Sequence, residues 1–207
     1  MSAAPQLFPM PTLVFPITER LIIYDLTGTL VSGFKDTELL PGRKEKIQQL
    51  LDMGKFVAIA TNEGGVGTRL YAEEYGWKNP ERYPTAKEAM ERFHTVLSNL
   101  DIARQLITGQ FLLFYSFAWQ DRAGNWVKPP GEQEQLPCWR QDWRKPAPGM
   151  IYAAMERTGV TRSETLLVGD AGPEDERKED WEAAQAAGVT FEHANGHFAT
   201  LDGVIPL

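Results

Sequence analysis

Four segments of the 207-residue chain set acids, hydroxyls or a lysine beside glycine or proline turns. The first is Asp25-Leu26-Thr27-Gly28-Thr29. The second is Thr61-Asn62, ahead of Glu63-Gly64-Gly65-Val66-Gly67, where a hydroxyl and free backbone N–H groups suit an anion. The third is Arg144-Lys145-Pro146. The fourth is Val168-Gly169-Asp170, followed by an acid-rich run with Glu174, Asp175, Glu179 and Asp180. Two carboxylates in one crevice repel each other, and a divalent cation between Asp25 and Asp170 relieves that repulsion. Carboxylate oxygens select Mg²⁺, which keeps waters and accepts phosphate oxygens as further ligands. Lys145 and Thr61 are then left to hold the remaining phosphoryl oxygens. The set predicts phosphoryl transfer to a carboxylate nucleophile.

Such residues meet only if neighbouring elements end together. Short apolar runs over 21–24, 56–60, 111–115, 165–168 and 189–191 read as strands covered on both faces. Helical patterns lie between them. Residues 41–53 open at Pro41-Gly42 and stop at Gly54, and residues 85–107 open with the capping-box spacing Thr85 to Glu88. Two further helices are predicted over 147–158 and 180–187, each followed by a glycine. Strand–helix alternation predicts an α/β domain with a central parallel sheet, right-handed crossovers and ligands beyond the carboxyl ends of the strands. The first and fourth strands end at Asp25 and Asp170, the second at Thr61, and Lys145 opens a helix. One crevice therefore receives all four.

Residues 1–19, with Pro5, Pro9, Pro11 and Pro16, are expected to form an irregular arm before a single domain over 20–207. Residues 116–146 hold Trp119, Trp126, Trp139 and Trp143 without either periodicity, and read as a long loop or small insert. Packing of that loop onto the domain is the expected role of these tryptophans, with a substrate wall or contact surface as alternatives.

The net charge of −7 argues against a mainly electrostatic nucleic-acid binder. A single cysteine, Cys138, excludes an intramolecular disulfide and a multi-cysteine zinc site. No apolar run reaches the ~20 residues of a membrane helix and no charged-then-apolar leader opens the chain, so no membrane contact is expected, and the single cysteine suits the cytoplasm. No Gly-x-Gly-x-x-Gly, P-loop or Gly-x-Ser-x-Gly sequence occurs. His94, His193 and His197 read as surface or loop residues.

Taken together, the four segments resemble the haloacid dehalogenase-like (HAD) superfamily of aspartyl-phosphate hydrolases, over about residues 20–192. The likeness is to the subgroup with histidinol-phosphate, heptose bisphosphate and polynucleotide 3′-phosphatases. It rests on Leu40-Pro41-Gly42, on Thr61-Asn62 with its glycine loop, and on Arg144-Lys145-Pro146-Ala147-Pro148-Gly149-Met150. The resemblance implies a Rossmann-like sheet without a large cap domain and Asp25 as nucleophile. It also implies Mg²⁺ held by Asp25, the Thr27 carbonyl and Asp170, with Thr61, Asn62 and Lys145 at the phosphate. Asp180-Trp181-Glu182-Ala183-Ala184 resembles the family's Asp-x-x-Ala-Ala ending, which favours Asp180 over Asp175 as the second acid of the metal motif.

One departure matters. The family's phosphatases usually carry an acid/base aspartate two residues after the nucleophile, and here Thr27 stands there. A hydroxyl does not titrate near neutral pH, and loss of general acid–base help costs about 10²–10⁴ in rate. Two functions follow as expectations. The first is a Mg²⁺-dependent phosphomonoesterase on a small phosphorylated substrate, slowed by Thr27, with a polynucleotide 3′-phosphate end as a second substrate class. The other is a catalytically impaired descendant that binds a phosphorylated ligand or a partner. The residues leave the oligomeric state open.

Overall fold

All four residues of β1 (Leu21–Tyr24) are buried, because a strand flanks it on each side and helices cover both faces. The computed structural model describes residues 18–202 apart from Lys78 and Pro130. Except for Thr18 and Glu19, the expected N-terminal arm lies outside them. β2 (Phe56–Asn62) and β4 (Thr165–Gly169) pair with β1. β3 (Phe111–Ser116) and β5 (Thr190–His193) form the edges. The order is β3-β2-β1-β4-β5 and every pairing is parallel, the α/β architecture that the alternation predicts.

Side chains alternate across the sheet. Ile22, Tyr24, Val57, Ile59 and Val168 join one core with Ile47 and Leu50 of α1 (Arg43–Asp52) and Phe93 and Val96 of α3 (Ala86–Leu100). Leu21, Ile23, Ala58 and Leu167 join a second core. Its other wall is Met150 and Ile151 of α5 (Gly149–Thr158) and Ala183 and Ala184 of α6 (Glu179–Ala187). Each large side chain fully buried in this way contributes about 1.5–3 kcal/mol.

Thr85 and Glu88 form the capping box their spacing predicts, with Glu88 N donating to Thr85 Oγ1 at 3.1 Å and Thr85 N to Glu88 Oε2 at 2.7 Å. The single helix expected over 85–107 is two. Asp101 turns left-handed at φ 57°, Ile102 plugs the core, and α4 (Ala103–Thr108) starts anew. Two helices escape the sequence pattern: α2 (Gly65–Tyr75), which starts inside the glycine loop, and α7 (Ala194–Asp202).

Residues 117–148 connect β3 to α5. Their first part doubles back through a Gln120–Trp126 bridge, and three short 3₁₀ turns follow. Trp139 is buried edge-on against Phe117, and Trp143 Nε1 donates to the Tyr115 carbonyl at 2.9 Å. These two tryptophans fasten the connection to β3 just before Lys145. Among the described residues no helix is long and apolar enough to cross a membrane.

Candidate active site

Strand register brings the acids to one level. Tyr24 is paired with Ile59 on one side and Val168 on the other, so Asp25 emerges beside the ends of β2 and β4. Its N–H still donates to the Val168 carbonyl at 2.9 Å, which fixes the residue to the sheet's carboxyl edge. Thr61 is buried at the end of β2, and Asp170 follows β4 directly. Asp180, in the first turn of α6, reaches back over Gly169, where a Cβ would stand 2.3 Å from Asp180 Oδ2. Only glycine leaves room for that carboxylate.

Lys145 lies at the centre. Its Nζ donates to Asp25 Oδ1 at 2.6 Å and to Asp180 Oδ1 at 2.5 Å, and both ion pairs are buried. Asp180 Oδ2 also accepts the Ala171 N–H at 3.2 Å. Burial pushes the Asp25 carboxyl up to about 7; Lys145 pulls it down, while Asp180 and Asp170 add to the rise. Burial works against the Lys145 ammonium, yet Asp180 and Asp25 outweigh it and hold the group above the ordinary lysine range. Asp170 is likewise raised, by burial and by Asp180, against an opposing pull from Arg177, whose Nη2 is 3.5 Å from Asp170 Oδ2.

Asp25, Asp170 and Asp180 each present an oxygen within 4.8 Å of the others, an all-carboxylate set suited to a hard cation. Gly28 shapes the space around it. Its φ is +89°, and a Cβ there would fall 2.0 Å from Asp170 Oδ2. Asp175 stands apart from this cluster: it accepts the Gly172 N–H at 2.7 Å and faces His193 at 3.4 Å. Asn62 sits beside the site with its amide committed to the backbone N–H and carbonyl of Lys145.

Sequence reasoning overlooked a second buried ion pair. Arg92 Nη1 lies 2.5 Å from Glu63 Oε1, with both side chains buried, and Arg92 Nη2 donates to Thr27 Oγ1 at 3.1 Å. Burial lifts the Glu63 carboxyl above its usual range, with Arg92 opposing. The signal was present in α3, where Arg92 interrupts the buried stripe Ala89, Phe93, Val96 and Leu100. A cation inside an apolar stripe needs an acid opposite, and Glu63 is that acid. Glu63 and Arg92 line a cavity of ≈ 300 Å³, while Arg144 and Lys145 line another of ≈ 450 Å³. A larger one of ≈ 520 Å³, lined by Tyr71, Trp77 and Trp119, contains none of these groups.

A family model described as polynucleotide kinase 3 phosphatase matches residues 20–198. No curated protein matches the sequence. Among similar solved structures is a Mesorhizobium loti protein described as a HAD-like phosphatase, with 19% identity and a TM-score of 0.49 over 90% of this chain and 74% of that one. D,D-heptose 1,7-bisphosphate phosphatase from B. bronchiseptica, solved with magnesium and phosphate, has 21% identity and a TM-score of 0.49 over 89% and 87% of the two chains. The 4-nitrophenylphosphatase from Thermotoga maritima has 16% identity and a TM-score of 0.40, with 86% of each chain covered.

Proposed function

The chain belongs to the polynucleotide kinase 3 phosphatase family, a HAD-type phosphatase family, and from that membership we propose that it hydrolyses phosphate monoesters with Asp25 as the nucleophile. The observation that carries this reading is the Lys145 ammonium, buried between Asp25 and Asp180 at the sheet's carboxyl edge. A lysine so placed favours the ionised, nucleophilic form of Asp25 and supplies positive charge where phosphoryl oxygens would gather.

Asp25 attacks the phosphorus and the ester oxygen departs, leaving an aspartyl phosphate. Water then attacks that phosphorus, phosphate leaves, and the Asp25 carboxylate is restored. Thr61, at the end of β2, binds a phosphoryl oxygen. Asp180 orients Lys145, and Asn62 fixes the backbone that carries it. Asp25, Asp170 and the Thr27 carbonyl would hold Mg²⁺, with Asp180 completing the carboxylate set. The hard oxygen donors and the space kept by Gly28 fit such an ion. Bound there, Mg²⁺ offsets carboxylate and phosphate charge.

The substrate proposed is a small phosphate ester. A polynucleotide 3′-phosphate end is the second reading, favoured by the family match itself. Assay of sugar phosphates, aryl phosphates and a 3′-phosphorylated oligonucleotide, with and without Mg²⁺, tests both. Mg²⁺-dependent phosphate release that Asp25→Asn abolishes is expected. Release independent of Asp25, or none from any ester, contradicts the reading.

A further inference from the structure

Thr27 stands two residues after Asp25, where the resemblance expects an acid, and its hydroxyl is not left to rotate freely. Arg92 Nη2 donates to Thr27 Oγ1 at 3.1 Å. The guanidinium is held on its other sides as well: Nη1 to Glu63 Oε1 at 2.5 Å, Nη2 to the Gly33 carbonyl at 3.0 Å, and Nε to the Asp36 carbonyl at 3.1 Å. Arg92 is 8% exposed, so these bonds are made largely out of water. A guanidinium only donates, whereas a hydroxyl accepts and also has one proton to give. With Arg92 on its oxygen, Thr27 is the acceptor in that contact and its own proton points elsewhere. Among the described residues no group accepts it. Thr27 is half-buried, and its partner Arg92 lines a cavity of ≈ 300 Å³ together with Glu63, Phe34, Lys35 and Tyr83.

We propose that Thr27 is a fixed hydrogen-bond donor to the leaving-group oxygen of the substrate, and that Arg92 is the positioning residue that aims and polarises it. The inference rests on the phosphatase reading above and deepens it. As the Asp25 oxygen forms its bond to phosphorus, the bond from phosphorus to the ester oxygen breaks and its electron pair stays on that oxygen. The Thr27 O–H, made a better donor by the Arg92 cation, stabilises the developing oxyanion without surrendering its proton. The departing oxygen takes its proton from solvent. The cavity that Arg92 lines receives the rest of the leaving group, and its volume suits a small molecule.

A donor that stabilises without protonating selects its substrates by chemistry. Esters of acidic hydroxyls, such as phenols, enols and anomeric sugar hydroxyls, depart readily as anions, whereas esters of simple alcohols need a proton. The preferred substrate class is therefore phosphate esters of acidic hydroxyls.

The test is turnover of a series of aryl phosphates from 4-nitrophenyl to phenyl phosphate, with glycerol 2-phosphate as the alcohol ester, at saturating Mg²⁺. Thr27→Val leaves the bonds from Arg92 to Glu63, Gly33 and Asp36 available. It should lower kcat/KM for phenyl phosphate about tenfold more than for 4-nitrophenyl phosphate. Thr27→Ser should restore the wild-type ratio. Arg92→Lys should move the ratio in the direction of Thr27→Val, and if that variant does not fold, Thr27→Val and Thr27→Ser decide alone. A uniform loss across the series, or none, in Thr27→Val overturns the inference while the phosphatase reading stands. Glycerol 2-phosphate turned over by wild type as fast as 4-nitrophenyl phosphate also overturns it. Failure of the underlying reading has a different signature: no ester is hydrolysed, and Asp25→Asn is indistinguishable from wild type.

Discussion

The side-chain amide of Asn62 closes on the backbone of Lys145 at both ends, with Nδ2 donating to the Lys145 carbonyl at 2.9 Å and Oδ1 accepting the Lys145 N–H at 3.0 Å. This ties the end of β2 to the loop that opens α5. It also sets where the buried ammonium can reach. Asn62→Ala should therefore act through Lys145. A displacement of about 1 Å at a reacting group can cost about 10²-fold, so kcat for an aryl phosphate is expected to fall by at least about tenfold. The two backbone groups left behind cost about 1–3 kcal/mol each if no water replaces the amide, and a lowered thermal midpoint checks this.

Removing the ammonium itself tests the electrostatics of the site. Lys145→Met leaves Asp25 and Asp180 facing each other, buried and without their cation. Breaking a buried pair from one side costs about 3–5 kcal/mol. The metal-free variant should unfold at a clearly lower denaturant midpoint than wild type, and Mg²⁺ should recover part of the difference by offsetting the carboxylate charge. Midpoints measured with and without millimolar Mg²⁺ check both statements. Equal midpoints for variant and wild type would contradict the account of the pair.

Much of this arrangement was legible in the sequence. Continuous apolar runs are what doubly covered parallel strands require, so β1 and its neighbours could be read directly, and with them the meeting of Asp25, Lys145 and Asp170 at the sheet's carboxyl edge. What could not be read was which contacts each polar group would satisfy. Asn62 follows Thr61 and reads as a phosphate ligand, yet its amide serves a backbone 83 residues away. Arg92 interrupts the apolar stripe of α3, which signals an acid opposite without saying which one, and its link to Thr27 depends on how α3 lies against the loop after β1. Such pairings arise from packing between distant segments, for which periodicity gives no signal. The glycines that hid α2 mislead for a related reason: they serve close approaches, as at Gly67, where a Cβ would meet the Phe117 carbonyl at 2.6 Å.

Gly28→Ala probes the space kept for a cation. The substitution places a Cβ 2.0 Å from Asp170 Oδ2 and demands φ +89° of an alanine, so the Asp170 carboxylate must move. The Mg²⁺-induced rise in melting temperature should shrink or vanish in this variant, and Mg²⁺-dependent turnover should fall with it. An undiminished Mg²⁺ response would show that Asp170 does not take part.

Acid stability should depend on the far side of the sheet. His197, expected at the surface or in a loop, is instead buried within α7, where Tyr24 Oη lies 2.9 Å from its Nε2 and Glu192 Oε2 lies 2.7 Å from its Nδ1. The hydrogen bond with His197 holds the Glu192 carboxyl below its ordinary range. A carboxyl whose folded pKa is depressed adds stability that is present above its unfolded value, about 4.3, and lost as pH falls through the folded one. Wild type should thus be more stable than Glu192→Gln at pH 7, and the gap should narrow as the pH falls below about 4. Denaturation midpoints at several pH values check the sign.

The claim on which the rest depends is that Asp25 accepts the phosphoryl group. Beryllofluoride mimics a phosphoryl group on a carboxylate, and ¹⁹F NMR of the protein with beryllofluoride and Mg²⁺ reads its adduct directly. The account predicts bound-fluoride signals in wild type that are absent in Asp25→Asn and greatly weakened in Lys145→Met. The same signals in wild type and Asp25→Asn, or none in a folded, Mg²⁺-loaded wild type, would contradict it.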